Sequence, residues 1–487
     1  MHPAQRHSLS IERYESPSTI GEAIGLLERW DERARLIAGG TDLLLEMQRG
    51  ARPGVEVLID VTRVPELTRI SVDHDRVRIG ATVTHSQVVR SEVVLEHGLP
   101  LAQACLEIGS PQLRNRATIA GNLVTASPAN DTISALMALD GEVSLASVDG
   151  IRVVRIAELY TGVRQTVIAP NELLTEISFP LPPQSSRGLF VKLGLRRAQA
   201  ISVVHLACVL DLVGEVVRSA RIAIGSVAPV VLLAEEAAES LLGEELTDLS
   251  IRKAAELAMA ACRPIDDIRA TAEYRVETAG VMVRRALEVL RANEERALWP
   301  RQPVTLSTRG GSDLPLEIGS GNGSLGSISA TVNGATVETT GGLSKTLLDW
   351  LREDAGPALG ISLTGTKEGC AEGECGACTV FLDDMAVMAC LVPAPAAEGA
   401  SITTIEGLAQ NAQLHPLQQA FVERGAVQCG FCTPGLVMAG AKLLEERTTP
   451  SLDELRVGLS GNLCRCTGYY KIIEAMQATS SVARESQ

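Results

Sequence analysis

The chain has 487 residues, more than one ordinary hydrophobic core holds, so we expect about two to four domains. With 45% hydrophobic, 3% aromatic and 21% charged residues, its composition is that of a folded protein rather than a disordered one. The formal net charge of −15 argues against nucleic acid as a partner, because phosphate backbones are bound by clustered Lys and Arg.

The sequence also bears on membranes and compartment. No apolar run approaches the roughly 20 residues that span a bilayer, and the N-terminal MHPAQRHSLSIERYESP lacks the apolar stretch of a signal peptide. We therefore expect a cytoplasmic protein. In a reducing cytosol, neighbouring cysteines persist as thiolates on metal more readily than as disulfides.

The N-terminal half alternates helical and strand patterns. TIGEAIGLLERW has helical spacing, ARLIAGGTDLLLEM predicts a strand that runs into a glycine turn, and VEVLIDVT predicts a strand. From LPLAQACLEIGS to GEVSLAS we predict a helix, a glycine-bearing turn, a second helix and a strand. Strand patterns continue from ELLTEISFPLP to SARIAIGSV, and three helical patterns follow: AAESLLGEEL, SIRKAAELAMAAC and TAGVMVRRALEVLRANEER. This half is therefore α+β.

Composition changes at residues 302–327, QPVTLSTRGGSDLPLEIGSGNGSLGS, which we predict to be a flexible interdomain linker with a mean span of roughly 25–30 Å. After it, ISATVNGATVETT predicts a hairpin, because Asn333-Gly334 suits a type I′ turn. The helical pattern TLLDWLRED completes a small β-grasp layout. Residues 405–485 are almost entirely helical in pattern, which predicts a helical bundle.

Eight of the eleven cysteines lie in the last 118 residues, in two groups of four. The first group has the spacing C-x4-C-x2-C with a fourth cysteine after a gap of eleven residues, the start of a plant-type [2Fe–2S] loop. The second has C-x2-C, a gap of 31 residues and C-x-C. The predicted metal ligands are Cys370, Cys375, Cys378 and Cys390 in the first group, and Cys429, Cys432, Cys464 and Cys466 in the second.

Glycines accompany the first group. Gly369, Gly373 and Gly376 would let the backbone pass close to a cluster and offer N–H groups to its sulfurs. The alternative is that the cysteines bind zinc, since C-x2-C also occurs in zinc folds. The second group is less diagnostic by itself, and its position beside the first favours iron and sulfur.

The tandem of this loop with QCGFCTPG and NLCRCTGY resembles the iron–sulfur portion of the molybdenum hydroxylases, the xanthine dehydrogenase and carbon monoxide dehydrogenase family. The resemblance implies a [2Fe–2S] cluster at each group, the second nearer the molybdenum cofactor and the first nearer the flavin. It also implies that Gln428 and Cys466 approach the pterin of a partner subunit.

The N-terminal half resembles the same family. LIAGGTDLL and TIAGNLVTASPAND look like its two flavin-diphosphate motifs, in which backbone N–H groups and the hydroxyl of Thr41 or Thr118 reach a pyrophosphate. Taken alone, the glycine pair is a plain turn and Asn122 a turn residue. Asp131 caps the following helix, or binds the ribityl or ribose side as in the family.

Further resemblance places Leu174 and Lys192 near the flavin; otherwise they are a core leucine and a solvated lysine. Ala120 stands where the family more often has glycine. Ile108 stands where some xanthine dehydrogenases have an aromatic residue that stacks on the flavin, so the sequence does not decide whether NAD reaches the flavin as in those enzymes. The FAD contacts that the resemblance implies are Leu36, Ile37, Ala38, Gly39, Gly40, Thr41, Asp42, Leu43, Ile108, Thr118, Gly121, Asn122, Ser127, Asp131, Leu174 and Lys192.

Other conspicuous residues have structural interpretations. Cys105, Cys208 and Cys262 lie in apolar segments and are predicted to be buried small hydrophobes. The histidines have no metal-ligand spacing, and no catalytic triad or P-loop is readable.

The predicted fold class is a multidomain α+β protein, in which an FAD-binding domain precedes a β-grasp ferredoxin-like domain and a helical [2Fe–2S] bundle. The expected domains are residues 8–184 (FAD-binding), 185–298 (the α+β domain that ends the flavin part), 299–326 (linker), 327–403 (ferredoxin-like) and 404–480 (helical). In single-chain eukaryotic xanthine dehydrogenases the iron–sulfur domains come first, whereas here the FAD domain does. The family's three-subunit members carry these parts as separate chains, so this chain looks like a fusion of FAD and iron–sulfur subunits.

The resemblance implies that a separate large molybdopterin-binding subunit passes electrons through both clusters to FAD, and on to NAD⁺ or another acceptor such as O₂ or quinone. The expected assembly is a hetero-oligomer, for example a dimer of heterodimers. Two alternatives stay open. One is a flavin iron–sulfur reductase that moves electrons from NADH to another protein without molybdenum, and the other is a zinc-bound scaffold without enzymatic activity.

Overall fold

The computed structural model describes residues 9, 11–297, 299–308, 326–411 and 413–485. They form two compact units. The first unit comprises Met1–Pro65, Gly109–Ala117 and Val304–Gln487, and the second comprises Glu66–Ile108 and Thr118–Pro303. The first unit therefore combines segments from both halves of the sequence.

The first unit begins with a three-stranded parallel sheet. Its strands lie in the order Arg13–Glu15, Val57–Asp60, Ala34–Ile37. Helix Ile20–Trp30 connects the outer two strands and starts at Thr19, whose side chain accepts a hydrogen bond from the Glu22 N–H. These elements match the predicted strand, helix and glycine turn.

A five-stranded mixed sheet forms the second part of the first unit. Its order is Ala335–Thr340, Ser327–Val332, Ser401–Thr403, Thr379–Leu382, Met385–Met388. Asn333 and Gly334 have φ of 51° and 84°, as a type I′ turn requires, so the predicted hairpin is confirmed. Helical segments Leu347–Trp350 and Leu351–Ala355, the latter a π-helix, bury Trp350 completely in the core of this β-grasp domain.

The third part of the first unit is helical, as predicted. Its principal helices are Pro416–Glu423, Thr433–Glu446, Leu452–Gly458 and Tyr470–Glu485. Val304 and Leu306, inside the segment predicted to be linker, are buried in this core, and the Leu306 N–H donates to the Glu446 carboxylate at 2.7 Å. Those residues are therefore packed rather than free coil, because their apolar side chains fill the bundle. Residues 309–325 of the predicted linker lie outside the described part of the chain.

The second unit contains a five-stranded antiparallel sheet, flanked by short helices. The strand order is Ile70–Asp73, Arg76–Gly80, Leu173–Pro180, Glu142–Ser147, Gly150–Arg155. The helices are His85–Arg90, Glu92–His97, Leu99–Leu106, Ile119–Thr125, Asp131–Ala138 and Ile156–Leu159. A two-stranded ribbon pairs Tyr160–Gly162 with Gln165–Thr166.

The helix count between residues 99 and 138 differs from the prediction. Two helices were predicted there, whereas the second unit has three and the first unit adds Pro111–Arg114. Thr118, which caps Ile119–Thr125, starts a helix where the glycine and asparagine suggested a turn.

The second unit also contains a four-stranded antiparallel sheet covered by two long helices. The strands lie in the order Ser186–Gly194, Ser202–Val213, Val216–Gly225, Leu232–Leu233. The helices are Asp248–Ala261 and Ala272–Ala292, preceded by Glu235–Glu239. Cys208 and Cys262 lie in this core and Cys105 is fully buried in helix Leu99–Leu106, so the prediction that these thiols are buried is confirmed.

The remaining elements are short. They are helices Leu43–Gln48, Gly356–Ala358 and Ile405–Leu408 and 3₁₀ turns Asp31–Arg33, Val61–Arg63, Pro65–Thr68, Ala389–Leu391 and Ala394–Ala397. Among the helices that the structure describes, none combines the length and apolar character needed to cross a membrane.

Candidate cofactor sites

The first cysteine group surrounds a loop of the β-grasp domain. Cys370 and Cys375 lie half-buried in the loop, Cys378 immediately precedes strand Thr379–Leu382, and Cys390 lies in a 3₁₀ turn after strand Met385–Met388. Cys378 and Cys390 are each 3% exposed. The fold thus brings four thiols that are separated in sequence to one end of the sheet.

Backbone N–H groups converge on the Cys370 sulfur. Its Sγ accepts from the N–H groups of Glu372, Glu374 and Cys375, each at 3.3 Å, and the Cys370 N–H donates to the Cys375 Sγ at 3.3 Å. The Cys375 thiol and these N–H groups lower the pKa of Cys370 to about 5. The loop is therefore built to carry negative charge on sulfur, as a cluster ligand must.

Glycines make this loop geometrically possible. A Cβ atom at Gly369 would lie 2.6 Å from the Cys375 Sγ. Gly373 and Gly376 have φ of +73° and +67°, which L side chains rarely adopt. A loop wrapped this tightly around sulfur needs glycine at these positions.

The thiols of the first group approach in two pairs. Cys370 pairs with Cys375, and a hydrogen bond from the Cys390 thiol lowers the pKa of Cys378 while the pKa of Cys390 is raised. Among the described residues, no three His, Cys, Asp or Glu side chains are grouped to hold a single metal ion. Two pairs of thiolates suit a two-iron cluster, in which each iron takes two protein ligands.

The second group is also arranged in two pairs. The Sγ atoms of Cys429 and Cys466 are 3.5 Å apart and both residues are exposed. Cys432 holds the N-cap position of helix Thr433–Glu446, and burial together with the Cys464 thiol raises its pKa to about 12. Gln428, adjacent to Cys429, is also exposed.

The environment of Cys464 is polar. Its Sγ accepts from the Thr467 N–H at 3.4 Å and lies 3.1 Å from the Thr467 hydroxyl. Its N–H donates to the Tyr469 hydroxyl at 2.8 Å. The donor sets of both groups therefore fit [2Fe–2S] clusters.

The first glycine motif follows a strand of the first unit. Ala34–Ile37 ends at the motif, Gly40 has φ of +76°, and helix Leu43–Gln48 follows. A Cβ at Gly39 would collide with the backbone of Arg116 and lie 3.0 Å from the Ala117 Cα. Thr41 is half-buried and Asp42 exposed.

Arg116 lies against this motif and was not identified from the sequence. Its guanidinium donates to the Ala38 carbonyl at 3.4 Å, and the residue is 8% exposed. Among the described residues its Nε has no hydrogen-bond partner. Nothing in the sequence marks it, because the RNR segment reads as a charged surface.

The second motif lies in the second unit. Thr118 caps helix Ile119–Thr125 and accepts from the Gly121 N–H at 3.0 Å. Asn122 is inside this helix, so its interpretation as a turn residue is wrong. Its side-chain Oδ1 accepts from the Thr132 hydroxyl at 2.5 Å, and its carbonyl accepts from the Asn130 amide at 2.6 Å.

Asp131 and Lys192 form a buried ion pair. The Lys192 Nζ lies 2.6 Å from the Asp131 Oδ2, with side chains 6% and 4% exposed. The interpretation of Lys192 as a solvated lysine is therefore wrong. Asp131 does not cap the following helix either, since Asn130 holds the N-cap position. The other Asp131 oxygen accepts from the Ser202 hydroxyl at 2.6 Å, and Lys192 also donates to the Glu107 carbonyl at 3.0 Å.

His205 supports the loop of the second motif. Its fully buried ring lies between the Ser134 hydroxyl at 2.9 Å and the Pro128 carbonyl at 3.3 Å. Burial lowers the pKa of His205. The Ser226 N–H donates to the same Pro128 carbonyl at 2.8 Å.

The remaining predicted FAD contacts occupy ordinary structural positions. Leu174 is 5% exposed in strand Leu173–Pro180 and pairs with Leu145, next to a β-bulge. Ile108 is half-buried beyond helix Leu99–Leu106, and Ser127 accepts from the Ala129 N–H at 3.3 Å. These residues belong to the second unit, whereas the first glycine motif belongs to the first unit.

Comparison with known families covers most of the chain. Residues 8–182 match a family described as the FAD binding domain in molybdopterin dehydrogenase, 190–290 match the CO dehydrogenase flavoprotein C-terminal domain, and 404–477 match a [2Fe-2S] binding domain. The carbon monoxide dehydrogenase medium chain of Hydrogenophaga pseudoflava is 35% identical over 275 residues, which is 56% of this chain and 95% of that protein. The chain belongs to the molybdenum hydroxylase family.

Two further relatives extend the match. The nicotinate dehydrogenase small FeS subunit of Eubacterium barkeri is 46% identical over 150 residues, 31% of this chain and 92% of that subunit. A solved carbon monoxide dehydrogenase from Hydrogenophaga pseudoflava, lacking the Mo-pyranopterin moiety, matches with a TM-score of 0.55 and 35% identity over 57% of this chain and 96% of that one.

This molybdenum hydroxylase chain thus joins parts that are separate subunits in these relatives. It has the family's FAD-binding and [2Fe–2S] domains and is an electron-transfer component of an oxidoreductase. The predicted fold class and cofactors are confirmed, and the matches favour neither the zinc scaffold nor the reductase without molybdenum.

Proposed function

We propose that this chain takes electrons from a separate large subunit that carries the molybdenum cofactor and delivers them to NAD⁺ or another acceptor. The observation that carries the proposal is the arrangement of eight cysteines as four sulfur pairs within one compact unit. Relatives named as medium chains and small FeS subunits support the need for a large partner, and hence a hetero-oligomer.

The proposed cluster ligands are the eight cysteines of the two groups. When bound, the clusters pass single electrons and FAD exchanges them in pairs, which suits an outlet to a hydride acceptor. The chain's own contribution is to fix the sulfurs and surround them with N–H donors. Those of Glu372, Glu374 and Cys375 would stabilise negative charge at the first group.

The proposal includes the FAD contacts inferred for the two motifs. It also includes Ile108, Leu174 and Lys192 as FAD contacts. Arg116 joins them, because a buried guanidinium with a free Nε beside a glycine pair suits a diphosphate. We expect Arg116→Gln to weaken FAD binding, measured by flavin fluorescence during titration of the FAD-free chain. Unchanged affinity would remove Arg116 from the site.

The expected domain division also belongs to the proposal and is supported by the ranges of the three family matches. A reducing, cytoplasmic setting is part of the proposal as well, because grouped cysteines persist as thiolates on metal more readily there than as disulfides.

An anaerobic titration of the purified chain tests which acceptor takes electrons from the flavin. We expect about four irons and one FAD per chain, and bleaching of flavin and cluster absorbance by stoichiometric NADH if NAD⁺ is the acceptor. Bleaching by dithionite alone would reject NAD⁺. Copurification with a large molybdenum-containing subunit tests the proposed electron donor. Full NADH-dependent turnover without that subunit would favour the reductase that works without molybdenum.

A further inference from the structure

The two cysteine loops touch through one backbone hydrogen bond. The Leu463 N–H donates to the Cys375 carbonyl at 2.9 Å. Cys375 belongs to the first group, and Leu463 directly precedes Cys464 of the second. A continuous path of covalent bonds and one hydrogen bond therefore joins a predicted ligand of each cluster.

Asn462 holds this junction. It is 2% exposed, and its side-chain Nδ2 donates to the Gly376 carbonyl at 2.9 Å and to the Thr379 hydroxyl at 3.3 Å. Its carbonyl accepts from the Tyr469 hydroxyl at 3.3 Å, the hydroxyl that also accepts from the Cys464 N–H. One residue thus contacts the segment after Cys375 and the segment around Cys464.

A third segment braces Asn462 from the N-terminal half. The Gln112 Nε2 donates to the Asn462 Oδ1 at 2.8 Å, and Gln112 is fully buried. These bonds fix the orientation of the Asn462 amide, with oxygen towards Gln112 and nitrogen towards Gly376. The amide therefore has a defined role that a carboxylate of the same shape could not fill.

Glycines keep the two loops at this short separation. A Cβ at Gly376 would collide with the Gly461 carbonyl, and a Cβ at Gly435 would collide with the Gly376 carbonyl. Side chains at either position would push the backbones apart and lengthen the Leu463 to Cys375 bond. The close approach of the two cysteine loops therefore depends on glycine at both Gly376 and Gly435.

We propose that Asn462 is a positioning residue that holds the Leu463 to Cys375 hydrogen bond as the route for electrons between the two clusters. This rests on the proposed electron-transfer function. For each transfer, one electron leaves the site of Cys464 and one arrives at the site of Cys375, with no bond broken and no proton moved. A bonded route favours transfer because electronic coupling falls less steeply through bonds than through gaps.

Asn462→Asp tests this in the full chain with FAD and iron. The substitution replaces the N–H donors with an oxygen that repels the Gly376 carbonyl, and keeps the side-chain shape. We expect full iron content, changed magnetic interaction between the two reduced clusters in EPR spectra, and several-fold slower electron transfer between them after photoreduction. The control is Asn333→Asp, whose amide likewise joins two segments, to Thr404 at 2.9 and 3.0 Å, but bonds neither cysteine loop.

An Asn462→Asp protein with full iron, unchanged EPR interaction and an unchanged rate would overturn the proposal, as would the same changes in the Asn333 control. If Asn462→Asp fails to bind both clusters, Gln112→Leu decides, because it removes only the brace on Asn462. A slower rate with both clusters present supports the proposal, and an unchanged rate rejects it. Since photoreduction needs neither partner nor acceptor, failure of the proposed function would show in the NADH and copurification experiments instead.

Discussion

The ion pair between Lys192 and Asp131 gives a quantitative prediction for the second unit. Replacing Lys192 with Met removes the ammonium and leaves the Asp131 carboxylate buried, with the Ser202 hydroxyl as its remaining described partner. A buried charge without a counter-ion is costly, because the protein interior solvates it poorly. The chain should therefore lose local stability even in the absence of FAD.

The magnitude follows from the geometry. At 2.6 Å and an effective dielectric constant of about 20, the gross attraction is about 6 kcal/mol. Desolvation offsets part of this, and breaking a buried pair by removing one partner costs about 3–5 kcal/mol. The Ser202 hydrogen bond softens the loss, so we expect about 3 kcal/mol.

Amide hydrogen exchange of strand Ser202–Val213 in FAD-free protein measures this loss, because the free energy of opening of the strand should fall by the same amount. The double variant Lys192→Met with Asp131→Asn should recover most of it, because no buried charge remains. The control is Arg155→Met, which removes an exposed partner of Asp140 and should cost less than about 1 kcal/mol. A loss below about 1 kcal/mol for Lys192→Met, or a double variant as unstable as the single one, would refute the reasoning.

Three further predictions concern the clusters and pH. Cys375→Ser should lower iron from about four to about two per chain and leave FAD bound; loss of both clusters and FAD together would contradict the domain division. Gly369→Ala should abolish the first cluster's EPR signal, because its Cβ would lie 2.6 Å from the Cys375 sulfur, whereas Gly25→Ala, with nothing within 4 Å, should leave it intact. Because burial lowers the pKa of His205 below its ordinary value of about 6.5, unfolding takes up a proton as pH falls below that value. Protection of strand Ser202–Val213 should therefore decrease from about pH 6.5 downwards and level off below the folded pKa; a His205→Asn protein with the same pH dependence would contradict this assignment.

Patterns that act over short distances in sequence were predicted well. The spacing of Cys370, Cys375 and Cys378 predicted a cluster loop, because all three proposed ligands lie within nine consecutive residues. Asn333-Gly334 identified its hairpin because both residues must have positive φ, a requirement that few residue pairs meet. The last helices were visible because each buries one periodic apolar face.

Features that depend on distant partners were not predicted. Lys192 was open to a solvated interpretation, since its counter-ion lies 61 positions earlier in the chain. Asn122 was taken as a possible turn residue, but the Thr118 cap and the Thr132 hydrogen bond hold it in a helix. Arg116 was not singled out, because its contact is with the distant Ala38 carbonyl. Asn462 belongs to the NLCRCTGY motif, but the motif does not show the bond of its side chain to the Gly376 carbonyl.

The first unit contains chain from both sides of the linker, and this has a consequence for assembly. The medium chain and the small FeS subunit among the relatives are separate chains, and association between separate chains depends on concentration. Here Gln112 and Asn462 belong to one polypeptide, so the hydrogen bond between them forms within a molecule and does not depend on protein concentration. Translation thereby fixes a one-to-one ratio of flavin to cluster parts, and dilution cannot separate them.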